Sequence, residues 1–518
     1  MNKKVAFVVL IIGLIVLGAL KFFVIGKEED NALSSSDAKN IRETIDINVD
    51  SWVGYYLLCS KNFRASLRNE GIRSVCHNDN ANLNDRFEKL RNGDIQFAVA
   101  TIDAYLALGG DYQFPGTIVA IIDESKGGDA LLANSDDIAT LDDLKNNPQL
   151  RIALTPDSPS EHLIRSLAVH FDMPTFKKRG RWLKETESSE EACQKLINGD
   201  VDAAVCWEPD VTKTLLADNK LIKLIGSEDT EKLIVDVLLV NRAFAQEKPE
   251  IVKEVISHYF DTLSFYQQNP DNLVKELKKK TGLNTNSVQS MLKGVAWINL
   301  TDNAYDWFST VDQTAPHEYL YESIESALSI LQETEVKKEN PLPNKDPYSI
   351  TQSQFIEQLF EERVGSVSGQ KLNQRKLGQS EDNKFRPLTQ SQWKSLRSVG
   401  TLKVRNISFP KSSSDLSYSA KQLLDAAASD LSHYPNFRIS VEGHTGLSGD
   451  KDANQRLSQE RAESVVRYLN IAHGVSEDRM LATGVGSDEP LSKKPNESRR
   501  SYKYRLSRVE LILKVGSL

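Results

Sequence analysis

The sequence predicts two similar α/β lobes followed by a smaller α+β unit, with one apolar segment near the N-terminus. Three observations predict this. The stretch 89–100 (KLRNGDIQFAVA) returns at 195–206 as KLINGDVDAAVC, residues 401–515 run through a βαβαββ order, and 5–20 carries no charge. Each copy of the repeat reads as the end of a helix, an Asn-Gly stop and a buried strand. A separation of roughly one hundred residues is that of a lobe, not of a solenoid repeat. Two copies therefore imply two lobes, each with a helix feeding a parallel strand. In open α/β sheets ligands sit beyond the carboxyl ends of strands, so Thr101 and Asp103 in one lobe and Trp207 and Glu208 in the other are candidate site residues.

The N-terminal segment determines the expected topology. Lys3 and Lys4 precede the uncharged run, which resumes after Lys21 at 22–26. Residues 5–25 make roughly 31 Å at about 1.5 Å per residue, enough to span a bilayer as one transmembrane helix. The flanking lysines put the N-terminus in the cytoplasm and the bulk of the chain in the periplasm, a single-pass bacterial inner-membrane protein. A cleaved signal peptide also fits the segment. No clean small-x-small site follows, Val16-Leu17-Gly18 being the best available, and this favours the anchor.

Composition narrows the function classes. A chain of 518 residues with net charge −8 gives no reason to expect nucleic acid. The cysteines Cys59, Cys76, Cys193 and Cys206 form two pairs close in sequence. In an oxidising compartment both pairs become disulfides, 59–76 and 193–206 being the local pairing among three possible ones, and buried free thiols are the alternative. None has C-x-x-C spacing, so neither a metal nor a cofactor is expected.

The C-terminal elements follow from periodicity. The run 401–407 (TLKVRNI) alternates as a strand does. Ala420, Leu423, Leu424, Ala427 and Leu431 lie on one helical face, and Ala462, Val465, Val466 and Leu469 on another. Residues 437–442, 480–485 and 509–515 read as strands. Within this frame stand VEGHT (441–445), Asn454, LSxxRA (457–462) and RVE (508–510). Residues 401–518 thereby resemble the OmpA-like (MotB C-terminal) peptidoglycan-binding domain. The resemblance implies that diaminopimelate is held by two charges, an Asp directly after the His-Thr pair for the ammonium and the Arg of LSxxRA for the carboxylate. That Arg is Arg461. Gly446 stands where the Asp is expected, and Asp450 or Asp452 in the same loop is the candidate replacement. His444, Thr445, Asn454 and Arg508 complete the candidate wall-binding set.

A second resemblance covers 44–332. SWVGY (51–55), DESKGGDA (123–130), LDDL (141–144), VDAAVCWEP (201–209), KPEIV (248–252) and Asn269-Pro270 occur in that order. Together they resemble the ABC-transporter solute-binding proteins of the nitrate/taurine/sulfonate type. This implies a two-lobed periplasmic-binding-protein clamshell that closes on a small polar molecule by hinge motion, with an ABC permease as partner. Matching positions nominate Trp52, an aromatic in the first strand-to-helix loop, and Ser125, ahead of glycines whose N–H groups can approach a ligand. They also nominate Ser158 and Ser160 at a helix start, and Asp236 in the second lobe. The acidic set Asp103, Glu208 and Asp236 suits a ligand with an amine.

Residues 333–400 read as a linker, since 333–346 is charged and proline-rich and 365–383 has almost no large apolar side chain. Within it FIEQLF (355–360) reads as a helix able to close onto the receptor. The expectation is thus a membrane-anchored, wall-associated solute receptor without catalytic residues. The alternative is a sensor or scaffold between inner membrane and peptidoglycan that does not transport.

Overall fold

The computed structural model describes residues 41–516 apart from 148, 312–317, 364–384, 404–406, 408, 410–412 and 496. The segment 5–25 lies outside them. Among the described residues no helix is long and apolar enough to cross a membrane.

Lobe one is a six-stranded sheet in the order β11-β4-β10-β3-β1-β2. Its strands are β1 (Glu43–Val49), β2 (Ile72–Asn78), β3 (Phe97–Thr101), β4 (Gly116–Ser125), β10 (Val235–Asn241) and β11 (Val295–Trp297). Strands β1, β2 and β3 are parallel, whereas β10 runs antiparallel between β3 and β4. Every residue of β3, β4 and β10 is buried, as expected of strands covered on both faces. Lobe two is a five-stranded sheet in the order β7-β6-β8-β5-β9. It contains β5 (Asp129–Asn134), β6 (Ile152–Leu154), β7 (Leu183–Glu185), β8 (Ala203–Trp207) and β9 (Leu221–Gly226).

The sequence repeat is a structural one. The helices Leu83–Asn92 and Ser189–Ile197 lead to Gly93 and Gly199, at φ 78° and 74°, and then into β3 and β8. A Cβ at either glycine would meet nothing, so the left-handed turn, not space, calls for glycine. Each lobe also carries one disulfide, Cys59–Cys76 and Cys193–Cys206.

Two chain crossings join the lobes, one between β4 and β5 and one between β9 and β10. Ser227 pins them together. Its Oγ lies 2.7 Å from Ser125 Oγ and accepts from the N–H groups of Gly127 (2.8 Å) and Asp129 (3.1 Å).

The expected linker is shorter than 333–400. Residues 342–363 belong to lobe one, because Leu342, Ile350, Phe355, Ile356, Leu359 and Phe360 are buried in its core. Gln352 N–H also donates to Ile118 O at the edge of β4 (2.9 Å). The polar stretch 365–383 lies outside the described residues.

The C-terminal unit begins before 401. Its sheet has the order β12-β15-β13-β14, formed by β12 (Arg397–Thr401), β13 (Arg438–His444), β14 (Met480–Gly486) and β15 (Val509–Val515). The first strand lies N-terminal to the expected 401–407. The cause is local: Lys403 N–H donates to His170 O of lobe two (2.6 Å), which draws the chain out of the sheet. The helices Tyr418–Ser432 and Lys451–His473 bury the predicted faces, Ala420, Leu424, Ala427 and Leu431 on one and Ala462, Val465 and Leu469 on the other.

This unit docks on lobe two. Phe171 meets Tyr434 edge to face with centroids 5.4 Å apart, and His170 stacks on His433 at 5.4 Å. His170 Nδ1 and the Tyr434 hydroxyl are 2.6 Å apart. A Cβ on Gly400 would crowd Phe171 and Leu141, so β12 lies close against lobe two. One hydrophobic core runs through both units. Phe171→Ala is expected to cost about 3–5 kcal/mol, felt by lobe two and the C-terminal unit together, because it empties a shared site. Denaturant unfolding followed with a probe in each unit checks this; an unchanged C-terminal transition would show that the two pack independently.

Candidate functional site

A cavity with about 30 Å³ of free space lies between the lobes. Its walls come from strand ends. Asp50 follows β1, Thr101 ends β3, Asp129 starts β5 and Trp207 ends β8. Asp236 belongs to β10 of lobe one, not to the second lobe as expected, because the chain has crossed back after β9. Trp52, Tyr55 and Arg86 close lobe one's side, and Ser158 with Pro159 line the other at the start of the helix Pro159–His170.

Each lobe sends a tryptophan across. Trp52 of lobe one lies on the crossing, where a Cβ on Gly128 would overlap its ring. Its indole N–H donates to Asp123 Oδ1 (3.2 Å). Trp207 of lobe two joins the core of lobe one and donates to Ser51 Oγ (3.2 Å). The structure is therefore closed.

Of the sequence-nominated residues, Trp52, Thr101, Ser158, Trp207 and Asp236 line the cavity. The other four do not. Ser125 bonds to Ser227 and holds the hinge. Glu208 accepts from the N–H and hydroxyl of Thr212 in the first turn of the helix Asp210–Ala217. Asp103 is buried 3.9 Å from His162 Nδ1, and Ser160 is buried with an unpartnered hydroxyl. Ser158 Oγ itself donates to Thr155 O (2.7 Å) and accepts from Ser160 N–H (3.3 Å), so it is also a helix cap.

Sequence reasoning missed Asp50, Tyr55, Arg86, Asp123 and Asp129 as site residues. A signal for Arg86 was present: Leu83, Arg86, Phe87 and Leu90 share the buried face of one helix, where an arginine needs a reason. Its reason is a network. Nε donates to Asp79 Oδ2 (2.8 Å), Nη1 to Val99 O (2.7 Å), and Nη2 to Asp79 and to Asp50 Oδ2 (3.2 Å). Among the described residues, no group of three or more His, Cys, Asp or Glu is arranged to hold a metal ion.

The cavity is electrostatically acidic. Asp123, Asp129 and Asp236 are almost fully buried. Burial pushes the carboxyls of Asp123 and Asp236 up; the Asp123 charge pushes Asp236 up further, whereas hydrogen bonding with Asp236 pulls Asp123 partly back down, and Tyr55 donates its hydroxyl to Asp236. Burial, with Asp103, Asp50 and Glu208 nearby, pushes Asp129 up to about 7, and its Oδ1 has no hydrogen-bond partner among the described residues.

The wall-binding candidates gather at one end of the C-terminal sheet. His444 ends β13, and its N–H donates to Arg508 O (2.8 Å). His444 Nε2 lies 3.6 Å from Glu510 Oε2, and Arg508 Nε donates to Glu510 Oε1 (2.5 Å). Despite burial, these two partners hold the Glu510 carboxyl down at about 2. Arg461 is 5% exposed. It donates to Ser413 O (3.1 Å) and Ser507 Oγ (2.9 Å) and lies over the Phe409 ring. Among the described residues no carboxylate pairs with it. Thr445 Oγ1 is buried without a partner among the described residues. Asp450 caps the helix Lys451–His473 by accepting from Ala453 N–H (2.8 Å), and Asn454 donates to Ser448 O (3.3 Å) within the loop. Asp450 is therefore committed to the helix start. A Cβ at Gly446 would meet open space.

Residues 408–503 match the model of the OmpA family. The C-terminal unit is an OmpA-family domain. Over 108 residues the chain is 35% identical to "Probable lipoprotein YiaD" of Escherichia coli (strain K12), covering 21% of this chain and 48% of that protein. Over 86 residues it is 33% identical to "Peptidoglycan-associated lipoprotein" of Rhizobium meliloti (strain 1021), covering 17% and 48%. The chain thus spans about half the length of these two relatives. Among solved structures, a putative periplasmic sulfonate-binding protein SsuA from Methylobacillus flagellatus KT aligns at 14% identity and TM-score 0.47, covering 62% of this chain and 95% of that one. The aliphatic sulphonate binding protein SsuA from Escherichia coli aligns at 15% and 0.43, covering 57% and 89%. The two sheets and two crossings described above themselves define the periplasmic-binding-protein-like clamshell.

The raised Asp129 carboxyl makes a pH prediction. An unfolded Asp titrates near pH 4, the folded one near 7, so between these values the folded chain holds the extra proton and stability falls as pH rises. Asp129→Asn removes that loss. Its denaturant midpoint relative to wild type is expected to improve from about pH 5 to about pH 8, and a pH-independent difference would mean that Asp129 is not held protonated by the fold.

Proposed function

We propose that this protein is a periplasmic solute receptor, anchored in the inner membrane by 5–25 and held to peptidoglycan by its C-terminal domain. Binding is closure of the two lobes about a small polar molecule, with no covalent step. The observation that carries the receptor reading is the inter-lobe cavity, lined by strand ends, crossed by one tryptophan from each lobe and left with unpartnered buried polar atoms. Delivery of the solute to an ABC permease is the corresponding transport role. Docking of the wall-binding domain on lobe two supports a second reading, in which closure is reported to the wall rather than to a permease.

The wall-binding reading rests on Arg461, a buried cation whose acceptors among the described residues are neutral, which supports a role in taking a carboxylate of the peptide stem. The name of the Rhizobium meliloti relative, a peptidoglycan-associated lipoprotein, supports the same partner.

Two experiments test this function. Full-length protein in detergent is expected to sediment with purified sacculi, Arg461→Ala to abolish sedimentation, and Gly446→Asp to strengthen it by roughly tenfold, the worth of one charge-assisted hydrogen bond. Equal sedimentation of wild type and Arg461→Ala would remove the wall-binding role from this pocket. A metabolite screen by thermal shift is expected to find a solute that at 100 times its Kd stabilises the receptor by about 2.7 kcal/mol and changes indole emission. A broad screen without a shift would favour the scaffold reading.

A further inference from the structure

We propose that the inter-lobe cavity takes a small organic ammonium ion and rejects sulfonates and other small anions. The inference rests on the receptor reading and deepens it. Its first support is the charge that faces the cavity. Asp50, Asp129 and Asp236 line it, and the cation among the lining residues is Arg86. Arg86 already serves Asp79 and Asp50, two carboxylates for one guanidinium, and gives a further N–H to Val99 O. Arg86 gives no hydrogen bond to Asp129 or Asp236, and Asp236 has the Tyr55 hydroxyl instead.

The second support is the state of the donors, since an anion needs free N–H or O–H groups. The Trp52 indole donates to Asp123, the Trp207 indole to Ser51, Tyr55 to Asp236 and Ser158 to Thr155 O. The helix start at Ser158 offers little more: Pro159 has no N–H, and those of Ser160 and Glu161 go to Ser158. Of the lining side chains, Thr101 and one Nη1 hydrogen of Arg86 keep donor capacity.

The third support is what is unsatisfied. Asp129 Oδ1 is an acceptor, nearly fully buried, with no partner among the described residues. A buried carboxylate in that state is costly, so without a cation Asp129 keeps its proton, and a bound ammonium completes the ionised form in the proton's place. Trp52, Tyr55 and Trp207 add aromatic surface around it, the surroundings that hold alkylammonium ions. In the closed form the space is about 30 Å³, room for an ammonium head group; a larger ligand requires the lobes to part.

The test is a titration of full-length protein in detergent, followed by indole emission, with methylammonium, tetramethylammonium and ethanolamine set against methanesulfonate and 2-hydroxyethanesulfonate. At least one amine is expected to bind tenfold or more tightly than either sulfonate, and Asp129→Asn, which keeps the side-chain shape, to weaken that amine tenfold or more. Tighter binding of a sulfonate, or amine binding untouched by Asp129→Asn, overturns the ammonium assignment and leaves the receptor reading standing. If no amine binds, the assignment also fails. A broad metabolite library then separates the two ideas, since any saturable ligand retains the receptor and none removes it as well.

Discussion

The receptor depends on how its two lobes are joined. Two short crossings carry the chain between them, and Ser227 ties both through Ser125 and the N–H groups of Gly127 and Asp129. The site is built beside this knot. Asp129 is the first residue of β5 after one crossing, Asp236 the second of β10 after the other, and Trp52 rests on Gly128 between them. A hinge motion about these crossings therefore moves Asp129 and Trp207 against Trp52, Tyr55 and Asp236, which is the geometry a clamshell needs.

Burying carboxylates beside the crossings has a cost. Asp123, Asp129 and Asp236 are buried within one small region, and burial disfavours the charged form of each. The Arg86 network shows what full compensation looks like: a guanidinium with no exposed surface, completed by two carboxylates and a carbonyl. Asp129 lacks such completion. Clusters of strongly perturbed carboxylates in a cleft are characteristic of working sites rather than of structural cores.

The OmpA-family domain is not a bead on a loose string. Phe171, Leu141 and Val399 continue into Tyr434, Phe437 and Leu431 as one apolar core, and His170 is shared between stacking, a Tyr434 contact and the Lys403 backbone. Lobe two therefore moves with the OmpA-family domain, so relative motion of the lobes is also motion of that domain relative to lobe one.

Much of the fold is written locally. The Asn-Gly stops at Gly93 and Gly199, the apolar runs of β3 and β8, and the helical faces through Leu424 and Val465 are each decided by a few neighbouring residues, so periodicity and turn chemistry reveal them. The repeat also leads to Thr101 and Trp207 at strand ends, whereas Trp52 and Asp236 followed from the resemblance to solute-binding proteins. The helix at 355–360 was legible as one that closes onto the lobes. The start of β12 and the full extent of lobe one were not legible, because they depend on contacts between distant segments, Lys403 with His170 and residues 342–363 with the core of lobe one. The same holds for the role of Ser125 and for the partners of Arg86. By itself the sequence determined two lobes, an OmpA-family domain and several of the segments that meet at the cleft. Only the tertiary structure decided which polar groups satisfy one another there and which are left for a ligand, since pairing across the lobes depends on distances that no single stretch of chain encodes.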